Sequence, residues 1–115
     1  MTTTEPRRTT PEVGDILRST WGYDQTNVDY YQVTRITPSG LSIGIRPIGY
    51  ATRENTGEWA QDYVTPAPGN FIGPEKLKRA KPHYDGDGYQ VRITSYSNAY
   101  GPHNPAARTL QTSYA

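Results

Sequence analysis

Apolar residues in this chain recur at every second position in short runs, broken by clusters of Gly, Pro, Asp, Asn and Ser. Leu41, Ile43 and Ile45 alternate with Ser42, Gly44 and Arg46. A period of two puts successive side chains on opposite faces and marks a strand with one buried side. Earlier strands are expected over residues 13–19, opened by Gly14-Asp15, and 28–36, where Tyr31 and Val33 share one face and Tyr30, Gln32 and Thr34 the other. Ile36 falls out of that phase, which predicts a bulge near Thr34-Arg35. Thr37-Pro38-Ser39-Gly40 is a turn, with Pro presetting φ and Gly free to take a positive one. Residues 54–58 read as a hairpin tip joining 48–53 to 59–64, and residues 65–70, with Pro66 and Pro68, as a loop. A basic strand over 76–81 ends at Pro82, a turn follows on Asp85-Gly86-Asp87-Gly88, and Tyr89, Val91 and Ile93 mark the last strand. No heptad, repeat or amphipathic helix is present.

The expected fold is therefore all-β: a small, partly open barrel over residues 13–96. A flexible Thr/Pro-rich arm (1–12) precedes it and an irregular C-terminal segment (97–115) follows. The candidate core comprises Ile16, Leu17, Trp21, Val28, Tyr31, Val33, Ile36, Leu41, Ile43, Ile45, Val91 and Ile93.

Composition sharpens this picture. Only 33% of the 115 residues are hydrophobic, with 11 Gly and 10 Pro, which suits short strands and many turns. Ten Tyr stand against one Phe, a bias toward half-buried surfaces that keep a hydroxyl wet. The net charge of +1 excludes a strongly charged polyanion binder, yet the charge is uneven. Residues 1–74 carry six Lys/Arg against eight Asp/Glu, and residues 75–115 six against three. The absence of Cys excludes a disulfide framework and thiolate chemistry. Without a long apolar run, no membrane association is expected, and the chain reads as cytoplasmic or as part of a particle.

The order of a Gly-Asp opening, a strand ending near Trp21, a polar loop, the Tyr31-Gln32-Val33 strand and a Pro-Ser-Gly turn into Leu41-x-Ile43-x-Ile45 resembles the start of SH3-like barrels of the Tudor and chromo-like kind. That resemblance covers roughly residues 13–47 and implies that the first loop helps to build a ligand site. A second resemblance rests on Gly14-Asp15-Ile16-Leu17, the Trp21-Gly22-Tyr23-Asp24-Gln25-Thr26-Asn27 run, Val91-Arg92-Ile93-Thr94-Ser95-Tyr96 and the terminal Ser113-Tyr114-Ala115. It is similar to a family of small bacteriophage and mobile-element proteins. It implies a setting and no mechanism. Tyr100-Gly101-Pro102-His103 departs from that family, whose members often carry a second Trp-Asp-Gly there.

Catalysis has little to work with. His83 and His103 both sit beside prolines in polar stretches, and no nucleophile, base and orienting group share a neighbourhood. Asp85 and Asp87 lack the further oxygen ligands of a calcium loop and read as an Asx-type turn. No metal or cofactor is expected. Two binding features remain. The first is the aromatic corner, with Trp21, Tyr23, Asp24, Asn27 and Tyr30 as candidate ligand contacts. It has three readings: a packed hairpin corner, a cation pocket supplied with charge by Asp24 or Asp29, or a protein-docking hot spot. The second is a basic stripe of Lys76, Lys78, Arg79 and Lys81, joined by Arg92, which suits phosphates beside stacking aromatics. Its bland alternative is a solubilising edge that blocks strand-to-strand aggregation. The expected function is a non-enzymatic accessory protein that engages nucleic acid or a nucleic-acid-associated host complex. The alternative is an interaction module for a host or virion protein.

Overall fold

The computed structural model describes residues 7–22, 26–59, 61–95 and 97–112. Among them lie eight strands and no helix. These are β1 (Ile16–Trp21), β2 (Asn27–Ile36), β3 (Ser42–Asn55), β4 (Gln61–Phe71), β5 (Lys76–Pro82), β6 (Tyr89–Thr94), β7 (Ser97–Gly101) and β8 (Thr109–Thr112). Hydrogen bonding runs in the order β2-β1-β7-β6-β5-β3, and β3 returns to β2, so six strands close a small barrel consistent with the SH3-like kind. The expected bulge is present: the β2–β3 register slips between Val33 and Arg35.

The fourteen-residue β3 serves two structures. Its first half lies between β2, from Ile36↔Ile43 to Tyr30↔Ile48, and β5, from Ser42↔Arg79 to Ile45↔Lys76. Its second half leaves the barrel and pairs with β4, from Ile48↔Phe71 to Asn55↔Asp62. β8 then pairs with β4 over residues 61–64 and returns to β2, where the Thr112 N–H donates to the Thr26 carbonyl at 3.0 Å. The segment from residue 97 onward, expected to be irregular, thus contributes two strands. β4 likewise runs through the expected loop 65–70. Its register slips twice against β3, which lets Pro66 and Pro68 sit in a strand although they cannot donate to a ladder.

Two cores result. Leu17, Val33, Ile43, Ile45, Tyr89, Val91 and Ala99 fill the barrel. Ile16, Val28, Tyr30, Ile48 and Val64 form a second cluster on the other side of β1 and β2, under β4, with Tyr50 and Phe71 at its margin. Both faces of the β1–β2 hairpin are therefore covered. Two expected core residues are not core: Trp21 is 38% exposed and Leu41 53%.

The ladders also define the barrel's two ends. One carries Asp15, Ile36, Tyr89 and Gly101 and is closed by the described part of the N-terminal arm. Arg8 donates to both carboxylate oxygens of Asp15, at 2.7 and 3.0 Å, and the Tyr89 hydroxyl donates to Asp15 Oδ2 at 2.6 Å. The Arg7 N–H and Nε donate to Asp87, and the Gly88 N–H donates to the Arg7 carbonyl. Residues 7–12 were expected to stay free for want of apolar area; ion pairs and backbone hydrogen bonds hold them instead. At the other end the same ladders bring together Trp21, Pro47, Lys76, Ile93 and Ser97.

Candidate functional site

β5 and β6 share a ladder only over Ala80↔Val91, Lys81↔Gln90 and Pro82↔Tyr89. Beyond Ala80, β5 stays with β3 while β6 turns toward β7, so residues 76–79 and 92–95 pass each other without strand pairing. The barrel is closed in strand order but open along this seam. An open groove of about 720 Å³ occupies it, with Lys78, Arg79, Lys81 and Arg92 on its walls and Gln90, Thr94 and Asn98 beside them. Four of the five basic residues singled out from the sequence thus line one groove, and the fifth, Lys76, lies at its end of the barrel.

The surrounding charges make this groove distinctive. Elsewhere the arginines find acids: Arg7 with Asp87, Arg8 with Asp15 and Glu12, Arg35 with Glu75, Arg53 with Asp62, and Arg108 with Glu54. Arg18 donates to Thr109 Oγ1, and Arg46 lies over the Phe71 ring while donating to the Gly73 carbonyl. Among the described residues, Lys76, Lys78, Arg79, Lys81 and Arg92 have no carboxylate within ion-pairing distance. Glu75, their nearest acid in sequence, is turned away toward Thr34 and Arg35. The cluster is thus a local source of positive potential on a nearly neutral molecule.

β5 is also inverted relative to its neighbours. Ala80 faces the barrel, so Lys78 and Lys76 take inward positions opposite Ile43 and Ile45, while Leu77 points outward, 54% exposed. The two lysines therefore stand at the open end of the barrel rather than on its outer wall. They rim a second, smaller cavity of about 240 Å³ whose other walls are Tyr31, Ile45, Pro47, Pro74 and Ile93. Burial, with Asp29 nearby, pushes the Tyr31 hydroxyl above its ordinary pKa, so it stays neutral.

The aromatic corner divides. Trp21 ends β1 opposite Asn27, and its Nε1 donates to Asp29 Oδ2 at 2.6 Å across the strand pair, which orients the indole at the open end. Asn27 is half-buried in the first ladder position of β2. Tyr23 and Asp24 lie outside the described residues. Tyr30 was expected on the contact face and is not there: it is 1% exposed, its hydroxyl donating to the Val64 carbonyl and its ring packed against Tyr50 and His103. Alternation placed it on the face opposite Tyr31, and β4 covers that face too.

The histidines sit apart from the groove. His83 Nδ1 lies 2.6 Å from Asp85, whose carboxylate also accepts the Asp87 N–H in the expected Asx turn. That backbone hydrogen bond and His83 hold Asp85 below the ordinary aspartate range. His103 is packed on Tyr30, and burial with Arg18 nearby lowers its pKa. Leu77, Pro47 and Pro74 were not anticipated as lining residues. The inverted phase of β5, two lysines in register with Ala80, was the available signal. Compared with known proteins, the chain matches no family model, no curated protein and no solved structure.

Proposed function

We propose that this protein is a non-enzymatic nucleic-acid-binding protein. Its groove cations Lys78, Arg79, Lys81 and Arg92 take the phosphates, and Trp21 supplies an aromatic contact at the end of the barrel where the stripe begins at Lys76. The observation that carries this reading is the stripe of Lys76, Lys78, Arg79, Lys81 and Arg92 along one open seam, with no carboxylate in ion-pairing range among the described residues, in a molecule whose other surface arginines are mostly engaged by acids. A solubilising edge needs charge but no groove, whereas a phosphate track needs both. The setting that fits is the cytoplasm of a host cell, with the protein an accessory factor of a phage or mobile element.

Fluorescence anisotropy with a labelled twelve-nucleotide strand tests this. Affinity falls with added salt, with a logarithmic slope of about −0.7 per phosphate contact. The triple substitution Arg79→Gln, Lys81→Gln, Arg92→Gln, at exposed positions, flattens that slope by roughly two. A salt-independent affinity, or a triple variant that binds like the parent, would remove the claim.

A second reading, docking to a host or virion protein, draws on the extension built by β3, β4 and β8. It presents Trp59, Ile72 and Leu110 at 73%, 67% and 38% exposure. Large apolar side chains at a surface are raw material for a protein interface. Leu110, on β8 beside Tyr63 of β4, lines neither the groove nor the cavity at the open end, so Leu110→Ser would weaken such docking and leave oligonucleotide affinity unchanged.

A further inference from the structure

The cavity at the open end differs in kind from the groove beside it. Its walls are apolar (Ile45, Pro47, Pro74 and Ile93) with one aromatic residue, Tyr31, and Lys76 and Lys78 complete its lining. Lys78 lines both spaces, so a ligand lying along the groove passes the opening of the cavity. The one described acid on the same face of β2, Asp29, already accepts a hydrogen bond from the Trp21 indole. Two ammonium groups at the edge of an apolar hollow, with no carboxylate in ion-pairing range among the described residues, call for a ligand that is anionic at one end and flat and apolar at the other.

We propose that this cavity takes one unstacked base of a single-stranded nucleic acid, with Lys76 and Lys78 on the phosphates that flank it. The inference rests on the nucleic-acid reading and deepens it: the groove cations attract any polyanion, while the cavity makes the protein prefer single strands. Within a duplex, a base is stacked and paired and cannot enter a hollow lined by Tyr31 and Pro47 without being pulled out, at a cost of pairing and stacking. In a single strand every base offers its π-face, so a ring beside apolar walls gains stacking with little dependence on sequence. The inversion of β5 finds a use here. Had Leu77 faced inward, the rim would be apolar; instead both lysines take the positions that line the cavity.

The test uses the full chain and three probes matched in phosphate number: a thymidine twelve-mer, the same strand with abasic residues throughout, and a hairpin duplex. The expected result is that the thymidine strand binds about tenfold or more tighter than the abasic strand, and also tighter than the duplex. In Tyr31→Leu, or in the Lys76→Gln, Lys78→Gln pair should the first not fold, the thymidine strand loses its advantage over the duplex. Equal affinity for thymidine and abasic strands would overturn the base cavity while leaving the phosphate groove standing. Tighter binding of the duplex than of either strand would overturn it as well. Binding of none of the three at low salt would remove the nucleic-acid reading and this inference together.

Discussion

Asp15 does the work of a core residue with a polar side chain. It receives hydrogen bonds from Arg8, from the Tyr89 hydroxyl and from the Glu12 N–H, at 2.6 to 3.0 Å. Burial pushes its carboxyl up, and these donors together outweigh burial, so its pKa lies below the ordinary 3.8. The folded protein then holds fewer protons than the unfolded chain between those two values. Asp15 therefore contributes its full stability above about pH 4 and loses it as the pH falls through the lower folded value. Asp15→Asn should destabilise the protein at pH 7 by about 1–3 kcal/mol, since it leaves a part-buried Arg8 only the exposed Glu12 as a charged partner, and should flatten the acid limb in urea titrations. His103 acts in the same direction at higher pH. Burial and Arg18 lower its pKa from 6.5, so the unfolded chain takes up its proton first and stability declines as the pH drops below about 6.5. His103→Phe keeps a ring against Tyr30 and removes this titration; melting temperatures between pH 7 and pH 5 should converge relative to the parent. Legibility at this scale was uneven. The alternation of Tyr30 and Tyr31 was correct, but a pattern of two faces does not say that both are buried. The tie between Asp15 and Arg8 had no local signature, because it joins a polar arm to a strand end through charge.

Among the strands, those with clean alternation or an adjoining turn were readable. β3 begins in the Leu41–Ile45 alternation, β5 stops at Pro82, and the loss of phase at Ile36 marked the bulge that the β2–β3 ladder contains. β4 and β8 were not readable. Pro66 and Pro68 signal a loop, and only the double register slip against β3 makes room for them. β8 is the four residues Thr-Leu-Gln-Thr, too short and polar to show a period, and it is a strand because β4 offers it an edge. Gln111 fixes it there: its Oε1 accepts from the Val28 N–H at 3.2 Å and from the Tyr50 hydroxyl at 2.7 Å. Gln111→Ala leaves the buried Val28 N–H without that acceptor, while the Tyr50 hydroxyl keeps the Val28 carbonyl, so a loss of about 1–3 kcal/mol is expected. Amide exchange should rise at residues 61–64 and at Val28, while the barrel strands β6 and β7 keep their protection. Uniform loosening of all eight strands would show that the extension and the barrel are one cooperative unit.

The whole molecule is a barrel with two unlike ends. At one, Asp15, Tyr89, Arg7 and Arg8 tie the arm across the strands. At the other, β5 and β6 part, and a stripe of five cations starts at Lys76 on the end that also carries Trp21 and runs along the seam to Lys81, with no acid to pair them among the described residues. The sequence placed Trp21 and the basic stripe more than fifty residues apart as separate features; the ladders bring Trp21 and the Lys76 end of the stripe to one end of the barrel. No periodicity could reveal that meeting, since it depends on which strands pair. Nucleic acid is proposed to bind along this seam and at the end where it opens, and Trp21 at that end is its natural reporter. The decisive measurement is Trp21 emission in a Trp59→Phe background during titration with a single-stranded twelve-mer at low and high salt. The account predicts a saturable change at low salt that fades at high salt and is lost in the Arg79→Gln, Lys81→Gln, Arg92→Gln variant. A flat response at low salt, or a change that survives both high salt and the triple substitution, would contradict it.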